Sequence, residues 1–217
     1  MSLKISRIAA LVGTLVAVVA MSVAASSASA LTIHTKFEKW TVTGGITDKK
    51  LNQAITLPAG SEFNGSAAVN LGTLEGEVDG KVTVPPFKTT LKILGQPAET
   101  GVTFTEVGEA DGSVAPSATP GLETLTVPAS ANIGFTSLKI LGLSIPTECK
   151  TSSPVSFPLV DNLTLTELLN TGATFTGTTT LPSISCGGLL GFLESGLLTS
   201  LISGPSNPYS LAFAPPA

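Results

Sequence analysis

The chain has 217 residues, 42% hydrophobic and only 12% charged, with eleven Lys and Arg against fifteen Asp and Glu. Beyond residue 30 there is no Arg, and nine Lys face fifteen acidic residues, a net charge of −6. Such a chain is ill suited to neutralise phosphates, so nucleic-acid binding is not expected, and an anionic membrane surface repels it at long range.

Residues 1–30 read as a cleavable secretory signal peptide. Lys4 and Arg7 precede the uncharged apolar stretch Ile8–Ala25, and Ser26-Ser27-Ala28-Ser29-Ala30 places Ala at both positions a signal peptidase accepts. No Cys stands at the cleavage site, which excludes lipid attachment there. The 187 residues of Leu31–Ala217 suffice for a single β-rich secreted domain, residues 31–217. The alternative is two β subdomains, 31–115 and 122–217, with Ala115–Gly121 as linker.

The local signal of this region is β. Leu31, Ile33, Thr35 and Phe37 alternate and then slip phase before Trp40 and Val42, which predicts a bulge at Glu38-Lys39. From Glu75 to Val84, charged residues and Thr alternate with Gly and Val, giving one wet and one buried face. Val102–Val107, Ala173–Thr178 and Tyr209–Phe213 are further strand candidates. Turn signals fall at Gly44-Gly45, Pro58-Ala59-Gly60, Asp79-Gly80, Pro85-Pro86, Asp111-Gly112 and Pro120-Gly121. A partial echo links Phe87–Gly95 with Phe135–Gly142, without a period that spans the chain. The expected fold is all-β and sandwich-like. An immunoglobulin-type core places a Trp between bridged cysteines, and Trp40 lies upstream of both.

Chemistry-bearing residues are sparse. His34 is the only His and sits in an alternating strand, where a surface place is the expectation. No nucleophile elbow, metalloprotease motif, Walker loop or dinucleotide fingerprint occurs. Glu75, Glu77 and Asp79 share one strand face and could gather a calcium ion, although a solvated face continued by Lys81 is the plainer reading. Glu106, Glu109 and Asp111 fall near a turn and take the same reading. No catalytic residue, cofactor or metal site is therefore expected.

Cys149 and Cys186 form an even pair in an exported chain, which predicts a disulfide. Thr164-Leu165-Thr166-Glu167 is a capping box that opens one or two helical turns ended at Gly172. A longer helix is expected from about 189 to 203, short and amphipathic, its apolar stripe formed by Leu189, Leu190, Leu193, Leu197, Leu198, Leu201 and Ile202. That stripe either packs on the sheet or lines a greasy ligand. It is too short to span a bilayer and lacks the basic residues of an interfacial helix.

Three segments, Cys149–Val155, Phe175–Thr178 with Leu181–Cys186, and Ser203–Tyr209, together resemble uncharacterised secreted β-rich proteins of actinobacteria over residues 149–213. The resemblance implies export, the disulfide and a bacterial source, and transfers no functional residue. The expected role is non-catalytic, structural or partner-binding, secreted or loosely envelope-associated, with no stable membrane insertion. Its partner would be a protein, a glycan or an apolar ligand at the cell surface. A carrier of a lipid or other apolar molecule is the alternative, ahead of a membrane pore or a carboxylate-based hydrolase.

Overall fold

A computed structural model describes residues 31–93, 95–140, 143–188 and 191–216. Residues 1–30, read from the sequence as a signal peptide, lie outside them, as do Leu189 and Leu190. Thr32–Ala217 forms one compact unit.

Thirteen strands join in one antiparallel sheet, folded back on itself in a sandwich-like arrangement. They are β1 (Thr32–Asp48), β2 (Gln53–Thr56), β3 (Glu62–Asn70), β4 (Glu75–Thr83), β5 (Phe87–Ile93), β6 (Gln96–Glu106) and β7 (Ala110–Pro116). After these come β8 (Glu123–Ile140), β9 (Leu143–Thr151), β10 (Val155–Leu163), β11 (Ala173–Leu181), β12 (Ile184–Cys186) and β13 (Gly204–Ala214). Among the described residues two helices are inserted, α1 (Leu165–Thr171) and α2 (Gly191–Ile202). The strand order is β11-β13-β1-β3-β4-β7-β8-β6-β5.

The long strand β8 organises the sheet. Its first half pairs with β7 and β10, and its second half with β6 and β9. Ala115–Gly121, read above as a linker, instead belongs to a hairpin: Ala115 and Pro116 end β7 paired with β8, and the residues after them form the turn, closed by Ser117 N–H donating to the Leu122 carbonyl at 3.0 Å.

The ends of the sheet meet where β10 lies beside β11. Among the described residues no ladder joins them; side chains make the connection instead. Thr179 Oγ1 donates to the Ser156 carbonyl and Tyr209 Oη to the Pro158 carbonyl, each at 2.6 Å. Pro158 has no N–H to offer on that edge, which removes one of the donors a ladder there would use.

Sequence features explain most elements locally. The phase slip in β1 is a bulge between Phe37 and Trp40, with Lys39 at φ 54°. Thr164 and Glu167 form the capping box of α1, and Gly172 ends it. Three glycine signals read as turns lie inside strands: Gly44-Gly45 in β1, Gly80 in β4 and Gly112 in β7. They serve close approach rather than reversal. A Cβ on Gly44 would stand 1.9 Å from the Ser210 carbonyl oxygen, and one on Gly80 would stand 2.3 Å from the Phe63 ring.

The folded-over sheet encloses an aromatic core. Phe37 meets Trp40 edge-on at 4.7 Å between ring centres, and Phe213 meets both Phe63 and Phe175 at 5.6 Å. A second, smaller cluster of Ile55, Leu91, Ile93, Ala98 and Leu138 lies against the β5–β6–β8 extension.

Candidate functional site

The structured surface around the disulfide is the most unusual part of the molecule. Cys149 and Cys186 sit directly opposite each other in the β9–β12 ladder and are bonded. β12 has only three residues, and β9 covers one of its edges. The other edge is covered by α2, through hydroxyls. Ile184 N–H donates to Thr199 Oγ1 at 2.9 Å, and the same hydroxyl donates to the Ile184 carbonyl at 3.3 Å. Cys186 N–H donates to Ser195 Oγ at 2.8 Å, and Ser195 donates on to the Gly191 carbonyl at 2.6 Å. Two helix residues four apart advance about 6 Å, and two strand residues two apart about 6.6 Å, so the spacings match.

This arrangement sets which way α2 faces. Ser195 and Thr199 must turn toward the strand, and Leu198 (4% exposed) and Ile202 (2%) turn inward with them. Phe192, Leu193 and Leu197 are then left outside, 74%, 57% and 44% exposed. The helix is present and packed as expected, but its apolar stripe is split. Leu193 and Leu197, expected to pack or to line a ligand, face solvent, while Leu201 is half-buried against the core. The void beside Leu198 and Ile202 measures only about 10 Å³ and is no ligand chamber. At the far end of α2, Lys50 Nζ donates to the Ser200 carbonyl at 3.0 Å, placing a cation at the negative end of the helix dipole.

The interior holds two apolar voids. One of about 70 Å³ lies between β1, β4, β6, β8, β10 and β13; another of about 50 Å³ lies beside it, and Leu159 and Phe213 line both. Among the described residues lining the larger void, Glu106 is the only ionisable one. Burial pushes its carboxyl above the ordinary range, against the hydrogen bond from Val82 N–H and the nearby Lys81 charge, while Glu109 adds to the rise. Glu106, read from the sequence with Glu109 and Asp111 as part of a solvated acidic group, is instead half-buried while the other two are exposed, because alternation alone cannot tell a strand-end Glu facing water from one turned beneath a neighbouring strand.

The remaining candidates are surface groups. His34, Glu75, Glu77 and Asp79 are all exposed, and Asp79 accepts a hydrogen bond from Ser66 Oγ at 2.9 Å. Among the described residues, three possible metal-binding side chains converge only at Cys149, Cys186 and Glu194, where both sulfurs are tied up in the disulfide. No described helix is long and apolar enough to cross a membrane. The chain matches no protein-family model, no curated protein and no solved structure.

Proposed function

We propose that the chain is an exported, non-catalytic binding protein of the cell surface or envelope, and that it engages a protein partner through the outer face of α2. The observation carrying this reading is the orientation of that helix. An ordinary surface helix buries its apolar residues and shows its polar ones to water. Here Ser195 and Thr199 are engaged with β12, and Phe192, Leu193 and Leu197 are presented outward. Clustered exposed apolar side chains on a firmly held element are typical of protein contact surfaces, and they suit an apolar protein surface better than a glycan.

The other readings have less support. Voids of about 70 and 50 Å³ fall far below the roughly 300 Å³ of a drug-sized pocket, so a lipid chain has no room. Lys36, Glu38, Glu75, Glu77, Asp79 and Lys81 stand on β1 and β4, and all six are exposed, which argues against a lipid-facing barrel. The cavity beside Glu106 offers no second carboxylate, among the described residues, for hydrolysis by an acid–base pair.

The test is retention. Mature protein added back to washed envelopes of the producing cell should bind saturably and cross-link to a discrete protein through a photoreactive group at Phe192. A Phe192→Glu, Leu197→Lys variant should bind at least tenfold more weakly. Equal retention of both proteins refutes the α2 surface as the contact.

A further inference from the structure

The Glu106 carboxyl is in an uncommon position for an acid. β7 begins at Ala110, opposite Gly80, so β4 runs on past the end of its neighbour. The next amide on that edge, Val82 N–H, has no strand to meet, and Glu106 Oε2 accepts its hydrogen at 2.9 Å. One oxygen is thereby explained. Oε1 is buried and accepts nothing. A buried, unpaired polar atom costs about 1–3 kcal/mol and calls for a partner.

The surroundings restrict what that partner is. Glu106 lines the cavity of about 70 Å³ together with Val82, Phe104, Ala131, Phe157 and Leu211. A buried water makes about three hydrogen bonds, and these walls are nearly all apolar, so water is poorly held. At about 70 Å³ the space has room for a small molecule of a few heavy atoms and none for a lipid chain. The cavity is only partly enclosed, so a further carbon or two can reach its mouth.

We propose that this cavity binds a short-chain aliphatic alcohol, with the alkyl body against Phe104, Phe157 and Leu211 and the hydroxyl on Glu106 Oε1. A hydroxyl fits better than an ammonium. It donates to the ionised carboxylate and accepts from the protonated acid, and it brings no charge into an apolar chamber. The site is separate from the α2 face and does not depend on it.

Isomeric probes isolate the hydrogen bond. 1-Butanol and methyl propyl ether have the same atoms, and only the alcohol can donate. Titration of the mature, disulfide-bonded protein is followed by amide chemical shifts. 1-Butanol should move the Val82 resonance saturably and bind about five- to tenfold more tightly than the ether, the worth of one net hydrogen bond. In Glu106→Leu that preference should vanish. Ala131→Leu, which fills the cavity, should abolish both titrations while the rest of the spectrum stays native, and Ala129→Val serves the same end should Ala131→Leu fail to fold. Equal affinity of the two isomers for the unaltered protein overturns the proposal, as does binding that survives cavity filling. Butylamine outcompeting 1-butanol, with affinity falling on acidification, overturns the alcohol in favour of a cation.

Discussion

Replacing Thr199 by Val tests whether α2 is truly held by its hydroxyls. Val keeps the branched shape and nearly the same helix propensity, so the change removes one oxygen and little else. The Ile184 amide, on a residue only 4% exposed, then loses its acceptor. Leaving such a donor unpaired costs about 1–3 kcal/mol; the weaker bond to the Ile184 carbonyl adds little, and we expect about 1.5 kcal/mol. Ser195→Ala should cost less, about 1 kcal/mol, because Ala returns roughly 0.5 kcal/mol of helix propensity. The two hydroxyls grip one short strand, so the double variant should lose less than the sum, since helix release by one makes the other redundant. Urea unfolding of residues 31–217 with the disulfide formed measures these values, and amide exchange at Ile184 and Cys186 should quicken with each. Ser200→Ala on the same helix is the control: its hydroxyl is exposed and bonds within the helix, to the Leu197 carbonyl. If Thr199→Val is as silent as Ser200→Ala, edge capping does not hold α2.

Gly172→Ala should be among the most damaging small substitutions, costing about 2–4 kcal/mol by thermal or urea unfolding. Gly172 lies at φ +87°, and an added Cβ would stand 1.7 Å from the Phe213 carbonyl oxygen. Asn207→Ala should cost about 2–3 kcal/mol by the same assay: this buried amide accepts from Lys49 N–H at 2.9 Å and donates to the Gly204 carbonyl at 2.6 Å, tying the β1–β2 hairpin to β13. Burial raises the carboxyl pKa of both Asp48 and Glu106 above their ordinary values of 3.8 and 4.5. The folded state therefore holds protons that the unfolded state has released, and stability falls as pH rises from the ordinary value through the raised one. Melting temperatures measured across that interval should decline with pH, and the slope should flatten in Asp48→Asn and Glu106→Gln.

Much of the fold is legible in the sequence because its causes are local. The alternation of Glu75–Val84, the bulge at Glu38-Lys39 and the Thr164–Glu167 capping box each depend on neighbours within a few residues. The disulfide follows from cysteine parity. What escapes such reading depends on distant partners. Gly44, Gly80 and Gly112 look like turn residues in sequence, but their role is to let another strand or ring approach, and those partners lie far along the chain. Pro158 gives no hint that it faces β11. The stripe of α2 misleads for the same reason. A period of 3.6 reports where the apolar residues are, but which face turns inward is settled by Ser195, Thr199 and the bare edge of β12. Glu106 is invisible as a cavity residue because its burial depends on where β7 starts.

The outward apolar face of α2 invites one objection, that Phe192, Leu193 and Leu197 are there for the stability of the helix rather than for a partner. The two explanations differ in what they predict for the isolated protein. These side chains are 74%, 57% and 44% exposed, so they withdraw far less area from water on folding than core side chains do. Substitutions at exposed positions away from caps and glycines usually change stability by less than about 0.5 kcal/mol each. Phe192→Gln, Leu193→Glu and Leu197→Lys together should therefore leave the urea midpoint nearly unchanged. The acid and the base so introduced stand four residues apart, acid first, and add roughly a few tenths of a kcal/mol of helix support. The same triple variant should lose envelope retention. A protein destabilised by more than about 2 kcal/mol assigns the residues to folding, because the loss of binding would then follow from a loosened helix. Unchanged stability with lost retention assigns them to the partner, since nothing inside the molecule requires three large apolar groups in water.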